Sequence, residues 1–188
     1  MKRLLVIGLL GSMGFGAAQV SEAEAVEAAW ALRAGVAADH CDRVQPAAHA
    51  PEVFPLSGED GGGWLVLLPC RQGFYNLVTE TVLVAADASA TFAQLPVPEL
   101  IIDYVDGDSM GAVEHLAIAA INLSAEAVNA WFDPDTATLT AHDKWRGIGD
   151  AFTVSRWHYQ DGSFSLLHFE VDAVYDGELD AQVLIGGW

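Results

Sequence analysis

Apolar residues recur along this chain in two rhythms. Between Ser21 and Ala37 the spacing is helical: Val26, Ala29, Trp30, Val36 and Ala37 fall near one arc. Ser21 and Glu24 stand at capping-box spacing, so that each side chain can satisfy an orphan N–H at the helix start. With Arg33 in the last turn and Gly35 as a stop, the pattern predicts a helix over 22–34. The stretch from Pro46 to Gly63 carries Pro51, Pro55 and three successive glycines, and predicts a loop.

From Trp64 onward the period shortens. An apolar run over 64–69 is followed, past the Arg71-Gln72-Gly73 corner, by a second over 76–85. Further strands are predicted near 91–95, 100–104 and 115–122. Asp133-Pro134 suits the first two positions of a type I turn. After it, Ala137, Leu139 and Ala141 alternate with Thr136, Thr138, Thr140 and His142. A second hairpin follows. Thr153, Ser155, Trp157 and Tyr159 alternate with Val154, Arg156 and His158, the chain turns at Asp161-Gly162, and Phe164 to Val171 returns. Residues 181–185 supply a last strand before Trp188. The predicted class is α+β, predominantly antiparallel β: a meander of hairpins with one N-terminal helix.

The opening residues set the compartment. Met1-Lys2-Arg3 precedes an apolar run from Leu4 to Phe15, then Gly16-Ala17-Ala18, the order of a secretory signal peptide over 1–18. That run is shorter than the roughly 20 residues a membrane-spanning helix needs, and no lipobox cysteine follows it. Cleavage would leave a single β-rich domain over 19–188, periplasmic or secreted, with no membrane span. Its formal charge would be −20, with Lys144 as the one lysine. Such a surface repels phosphate backbones, which excludes nucleic acid as a partner. Two cysteines, Cys41 and Cys70, travel with the exported part. In an oxidising compartment an even pair reads most simply as a disulfide, contributing roughly 3.5 kcal/mol by loop closure.

Two segments resemble a known family. "LLPCRQGFYN", 67–76, resembles the Cys-x-x-Gly-Ala-Tyr-Asn stretch of an exported bacterial family catalogued as domain of unknown function 1176. "FDPDTATLTAHDKWRGIGDAFTVSRWHYQDGSFSLLHFE" is similar to that family's later signature, a hairpin running through a Lys-Gly-Arg-Gly-x-Gly-Asp-Cys-Gly loop into a tryptophan-bearing hairpin. The resemblance spans roughly 64–175 and implies a shortened member. Ala151 stands where the family has cysteine, and the cysteine expected after the last hairpin is also missing, as if one family disulfide were lost as a pair. The resemblance implies an exported domain without an assigned reaction, and no catalytic residue carries over.

Candidate chemistry gathers on "KWRGIGD". Lys144, Trp145, Arg146 and Asp150 sit on a glycine-rich loop able to present N–H groups and cations to an anion. With Trp157 and Tyr159 as exposed aromatics they form the candidate ligand-binding set. The plainer alternative pairs Lys144 and Arg146 with Asp143 and Asp150 as a structural tie. At the corner, Arg71, Tyr75 and Asn76 either face a ligand beside Trp64 or pin the strand end, and the disulfide favours pinning. Histidines 40, 49, 115, 142, 158 and 168 lack any spacing that fixes a metal site, although 142, 158 and 168 would approach if their strands pair. Asp106 to Glu114 imitates a calcium loop but fails at the bidentate twelfth position, Ala117. Serine-triad and phosphate-loop motifs are missing, and no cofactor is expected. The sequence therefore points to a non-enzymatic periplasmic or envelope binding module for a protein or envelope component. The alternatives are a carboxylate-dependent hydrolase of envelope polymers and a structural envelope protein.

Overall fold

The computed structural model describes residues 20–36, 41, 49–57 and 62–186. The expected leader, His40 and Trp188 lie outside them. Helix α1 (Glu22–Ala34) begins on the Ser21–Glu24 capping box and closes at Gly35. Its buried residues are Ala25 and Ala29, small enough to let the helix lie close on a sheet.

That sheet contains β1 (Glu52–Leu56), β2 (Gly63–Gln72), β3 (Leu77–Ala85) and β4 (Ala90–Phe92) in spatial order, with β7 (Glu126–Val128) also paired to β3. A second sheet is a true meander of β8 (Trp131–Asp133), β9 (Thr138–Lys144), β10 (Phe152–Gln160), β11 (Ser163–Asp172) and β12 (Gln182–Ile185). Between them in sequence, β5 (Leu95–Tyr104) and β6 (Val113–Ser124) form a separate long hairpin. Every pairing is antiparallel.

The continuous apolar run of β2 follows from its position in the middle of three layers. Leu65 and Leu67 face the second sheet, in a core with Leu139, Trp157 and Phe164. Val66 and Leu68 face α1, in a core with Val82 and Val84. A strand covered on both faces has no polar side to show, and each fully buried aliphatic side chain contributes roughly 1.5–3 kcal/mol. A third cluster joins Phe169 and Val171 to Leu100, Ile102 and Ile118 of the β5–β6 hairpin.

Three sequence expectations change. The loop expected over 46–63 contains β1, whose Pro55 is tolerated because β1 is an edge strand with one partner. The strand expected over 91–95 is two strands, β4 ending at Phe92 and β5 beginning at Leu95. The hairpins do not form one meander, because β7 returns to the first sheet beside β3. The two turn readings match: Asp133 accepts from the Asp135 amide and the Thr136 hydroxyl, and Asp161-Gly162 has the paired positive φ values of a tight hairpin tip.

Candidate functional site

The corner is built from β2 outward. A β-bulge places Cys70 as the extra residue between Pro69 and Arg71. Cys70 is fully buried and bonded to Cys41, with an S–S length of 2.07 Å. Beside the cystine, Arg33 at the end of α1 donates to Glu80 at 2.5 Å and to the Pro69 and Leu68 carbonyls at 2.8 and 3.2 Å. Glu80 is only 3% exposed, so this guanidinium supplies the countercharge that burial demands. On the far side of the bulge Arg71 forks onto both oxygens of Glu126, at 2.5 and 2.6 Å.

Past the corner, Tyr75 and Asn76 reach the loop at 144–150, almost 70 residues further along the chain. The Tyr75 hydroxyl donates to the Trp145 carbonyl at 3.0 Å. Asn76 Nδ2 donates to Asp143 Oδ1 at 2.9 Å and to the Lys144 carbonyl at 2.8 Å. Asn129 braces this junction, donating to Asn76 Oδ1 and the His142 carbonyl while accepting from the Leu77 amide. Every polar atom of the two asparagine amides is engaged, so the junction holds its geometry without a ligand.

The 144–150 loop is closed from within. Arg146 forks onto Asp150, which also accepts from the Gly177 amide at 2.9 Å. The Arg146 hydrogen bonds hold the Asp150 carboxyl down at about 2. The Arg146 guanidinium lies 5.1 Å from the centre of the Tyr175 ring. Gly149 has φ +75°, a backbone that a side chain would strain, and so permits the turn that returns Asp150 to Arg146.

Beneath this junction lies a cleft of about 300 Å³, between β5 and the β9–β10 pair. One wall is apolar, with Val97, Leu100 and Ile102. The other carries Asp143, Thr153, Ser155 and Trp157, and Trp145 and Glu126 also line the space. Burial raises the pKa of Asp143, offset in part by the Asn76 hydrogen bond. Its neighbour His142 is pushed the other way by burial, with Lys144 adding to the effect. The His142 ring meets Phe152 edge-on at 5.0 Å, and its Nε2 is buried without a partner among the described residues.

The candidate set separates on this geometry. Lys144, Trp145, Arg146 and Asp150 stay together on the loop, but the anion-receiving reading loses Arg146, whose charge is committed to Asp150. Trp157 is not an exposed aromatic. It is 2% exposed, donates to the Pro96 carbonyl at 2.8 Å and reaches only the cleft. Its position on β10, opposite Leu139, faces the core that the alternation alone left unassigned. Tyr159 lies apart from the loop, packed on Phe164 at 5.3 Å. The apolar side chains that do stand exposed around the junction are Phe74 and Ile148. Asp143, Asn129, Ser155 and Glu126 were missed as site residues. Only the adjacency of Asp143 to "KWRGIGD" signalled any of them.

The three later histidines do not converge. His142 stands opposite Val154, His168 opposite Arg156 and beside Glu170 at 3.0 Å, and His158 opposite Thr138. Among the described residues the one grouping of three metal-ligating side chains is Cys41, Cys70 and Glu80, whose sulfurs are already bonded to each other. No described helix is long and apolar enough to cross a membrane.

A family model described as "Protein of unknown function (DUF1176)" matches residues 16–173, reaching further toward the N-terminus than the two motif segments alone suggest. No curated protein and no solved structure matches the chain.

Proposed function

The chain belongs to the DUF1176 family of proteins of unknown function, and from that premise we propose that it is an exported binding module of the bacterial envelope whose ligand site is the cleft beneath Trp145. Export is supported by the leader-like opening of the sequence and by the Cys41–Cys70 bond, which persists in an oxidising compartment. The observation that carries the binding reading is the use made of the corner. Tyr75 and Asn76, from one motif, hold the backbone of Trp145 and the carboxylate of Asp143, from the other, and both of those residues line the cleft. A mostly apolar cleft with a few convergent polar groups is the usual form of a small-molecule site. The Arg146–Asp150 fork and the disulfide are its frame.

The test is a titration of the purified protein with a panel of small organic fragments, followed by the indole 1H–15N signals of Trp145 and Trp157. Saturable movement of these two signals is expected, and Ser155→Phe, which fills the cleft, should abolish it. Indoles that stay still with every fragment at millimolar concentration remove the cleft from the account.

A second reading, hydrolysis of an envelope polymer, draws on one observation: two carboxylates, Asp143 and Glu126, line the same cleft, and burial raises the pKa of the first. Against it, both oxygens of Glu126 accept from Arg71, a charge-assisted fork that competes with the work of a base or nucleophile. Release of soluble fragments from purified envelope polymers by wild type but not by Asp143→Asn would favour the hydrolase. No release by wild type would dismiss it.

A further inference from the structure

We propose that the cleft between β5 and the β9–β10 pair binds a small organic molecule bearing a primary ammonium on a compact apolar body, with Asp143 as counter-ion and the Thr153 and Ser155 hydroxyls as the remaining acceptors. This deepens the binding reading above and rests on it.

The acceptors are arranged by strand register. Thr153 stands opposite Asp143, and Ser155 opposite Ala141, in an antiparallel pair. Directly opposed residues share a face, and alternate residues on one strand share it too. Asp143, Thr153 and Ser155 therefore lie side by side along one wall of the cleft, which all three line.

Each has hydrogen-bonding capacity in hand. Ser155 is 7% exposed, and among the described residues its hydroxyl has no partner. Its oxygen is not among the buried side-chain atoms that lack a partner, so it stays open to the cleft and can accept from a ligand. The Thr153 hydroxyl is likewise without a described partner. Asp143 accepts from Asn76 through Oδ1, which leaves Oδ2 without a donor among the described residues. Among the described residues no basic side chain lines the cleft. Arg71, at the corner, is forked onto Glu126.

These features select the head group. A primary ammonium offers three donors and no acceptor, matching two hydroxyl oxygens and one carboxylate oxygen. It also sets a positive charge beside the half-buried Asp143, whose carboxyl burial pushes upward. A carboxylate head would meet Asp143 and Glu126 with like charge. A neutral hydroxyl brings one donor and no charge. The opposite wall selects the body: Leu100 and Ile102 from β5 present apolar surface only, while Phe169 and the Trp157 ring flank the hydroxyls on the Asp143 side. The formal charge of −18 over the whole chain adds a field that draws cations toward the protein.

Three probes with the same ring and different heads separate the outcomes: 2-phenylethylamine, 2-phenylethanol and 3-phenylpropionate. Each is titrated into the purified protein by calorimetry, with the Trp145 and Trp157 indole signals as the reporter of place. The amine is expected to bind at least about tenfold tighter than the alcohol, since a charge-assisted hydrogen bond exceeds a neutral one by that order, and the carboxylate to bind weakest. Asp143→Asn, which keeps the carbonyl that Asn76 needs, should reduce the amine's affinity by at least about tenfold while leaving the alcohol's unchanged. Thr153→Val with Ser155→Ala should lower amine affinity several-fold and serves as the second variant should Asp143→Asn lose its fold. Equal affinity for amine and alcohol, or preference for the carboxylate, with the indoles moving, overturns the ammonium class and leaves the cleft standing. Indoles unmoved by all three probes overturn both.

Discussion

Reducing the Cys41–Cys70 bond of the otherwise unchanged protein should cost about 3.6 kcal/mol of stability. The bond joins residues 29 apart in sequence, and closing a loop of that length removes about 12 cal/mol/K from the unfolded chain. The folded side has little reason to offset this. Cys70 sits in a bulge whose neighbours are held independently, Leu68 and Pro69 by Arg33 and Arg71 by Glu126. The corner should therefore keep its shape when the sulfurs part, leaving loop entropy as the main effect. Urea unfolding followed by tryptophan fluorescence, with and without a phosphine reductant, reads the change. At a slope of about 2 kcal/mol/M the midpoint should fall by roughly 1.8 M, with the slope little altered. A fall below about 0.5 M would refute the reasoning, because it would mean that the unfolded chain is already compact at this corner. Loss of the Trp145 or Trp157 indole positions in the reduced folded state would refute it differently, by showing that the bond shapes the site and does not merely restrain the unfolded chain.

Arg33→Met removes the guanidinium from a glutamate that is 3% exposed and should cost up to about 3–5 kcal/mol, measured by the same urea series; a cost under 1 kcal/mol would show that Glu80 does not depend on Arg33. Asp150, held at about 2 by Arg146, contributes stability that is complete above its ordinary value of 3.8 and lost as pH falls toward 2. Wild type should therefore lose ground to Asp150→Asn between pH 3.8 and 2, and parallel stability curves would contradict the fork. Asp143 has the opposite sign: its raised pKa makes the ionised form a burden once pH exceeds that value. Asp143→Asn should thus unfold at the same or higher urea concentration than wild type at pH 7, and a lower midpoint would show the carboxylate to be a structural support. Asn76→Ala takes a donor from Asp143 and the Lys144 carbonyl and a partner from Asn129, and should broaden or shift the Trp145 indole signal; an unchanged signal would separate the corner from the cleft.

Much of the fold was legible because its cues are local. The capping box, the Asp133-Pro134 turn and the Asp161-Gly162 tip each act within a few residues, and the meander from β8 to β12 needs only short connections. The three-layer arrangement was not legible. Val66 and Leu68 read the same as Leu65 and Leu67 until the helix is seen on one side and the second sheet on the other. Pro55 concealed β1, since nothing in the sequence says that the strand carrying it lies at an edge. The disulfide was readable from the cysteine count and the compartment that the leader-like opening led one to expect. The site was readable only in part: "RQGFYN" and "KWRGIGD" were visible separately, but the bond from Tyr75 to Trp145 crosses 70 residues. Trp157 was misplaced for a related reason. Alternation groups it with Thr153 and Ser155 on one face but does not say whether that face meets water or a core.

In the proposed site the corner and the loop together shape a cleft that accepts a cation-bearing ligand at Asp143. A crystal structure of the protein soaked with 2-phenylethylamine at pH 7 tests this most directly. The predicted result places the ammonium within hydrogen-bonding distance of Asp143 Oδ2, Thr153 and Ser155, with the ring against Trp157 and Leu100. An empty cleft under saturating amine, or the amine bound elsewhere on the acidic surface, would contradict it.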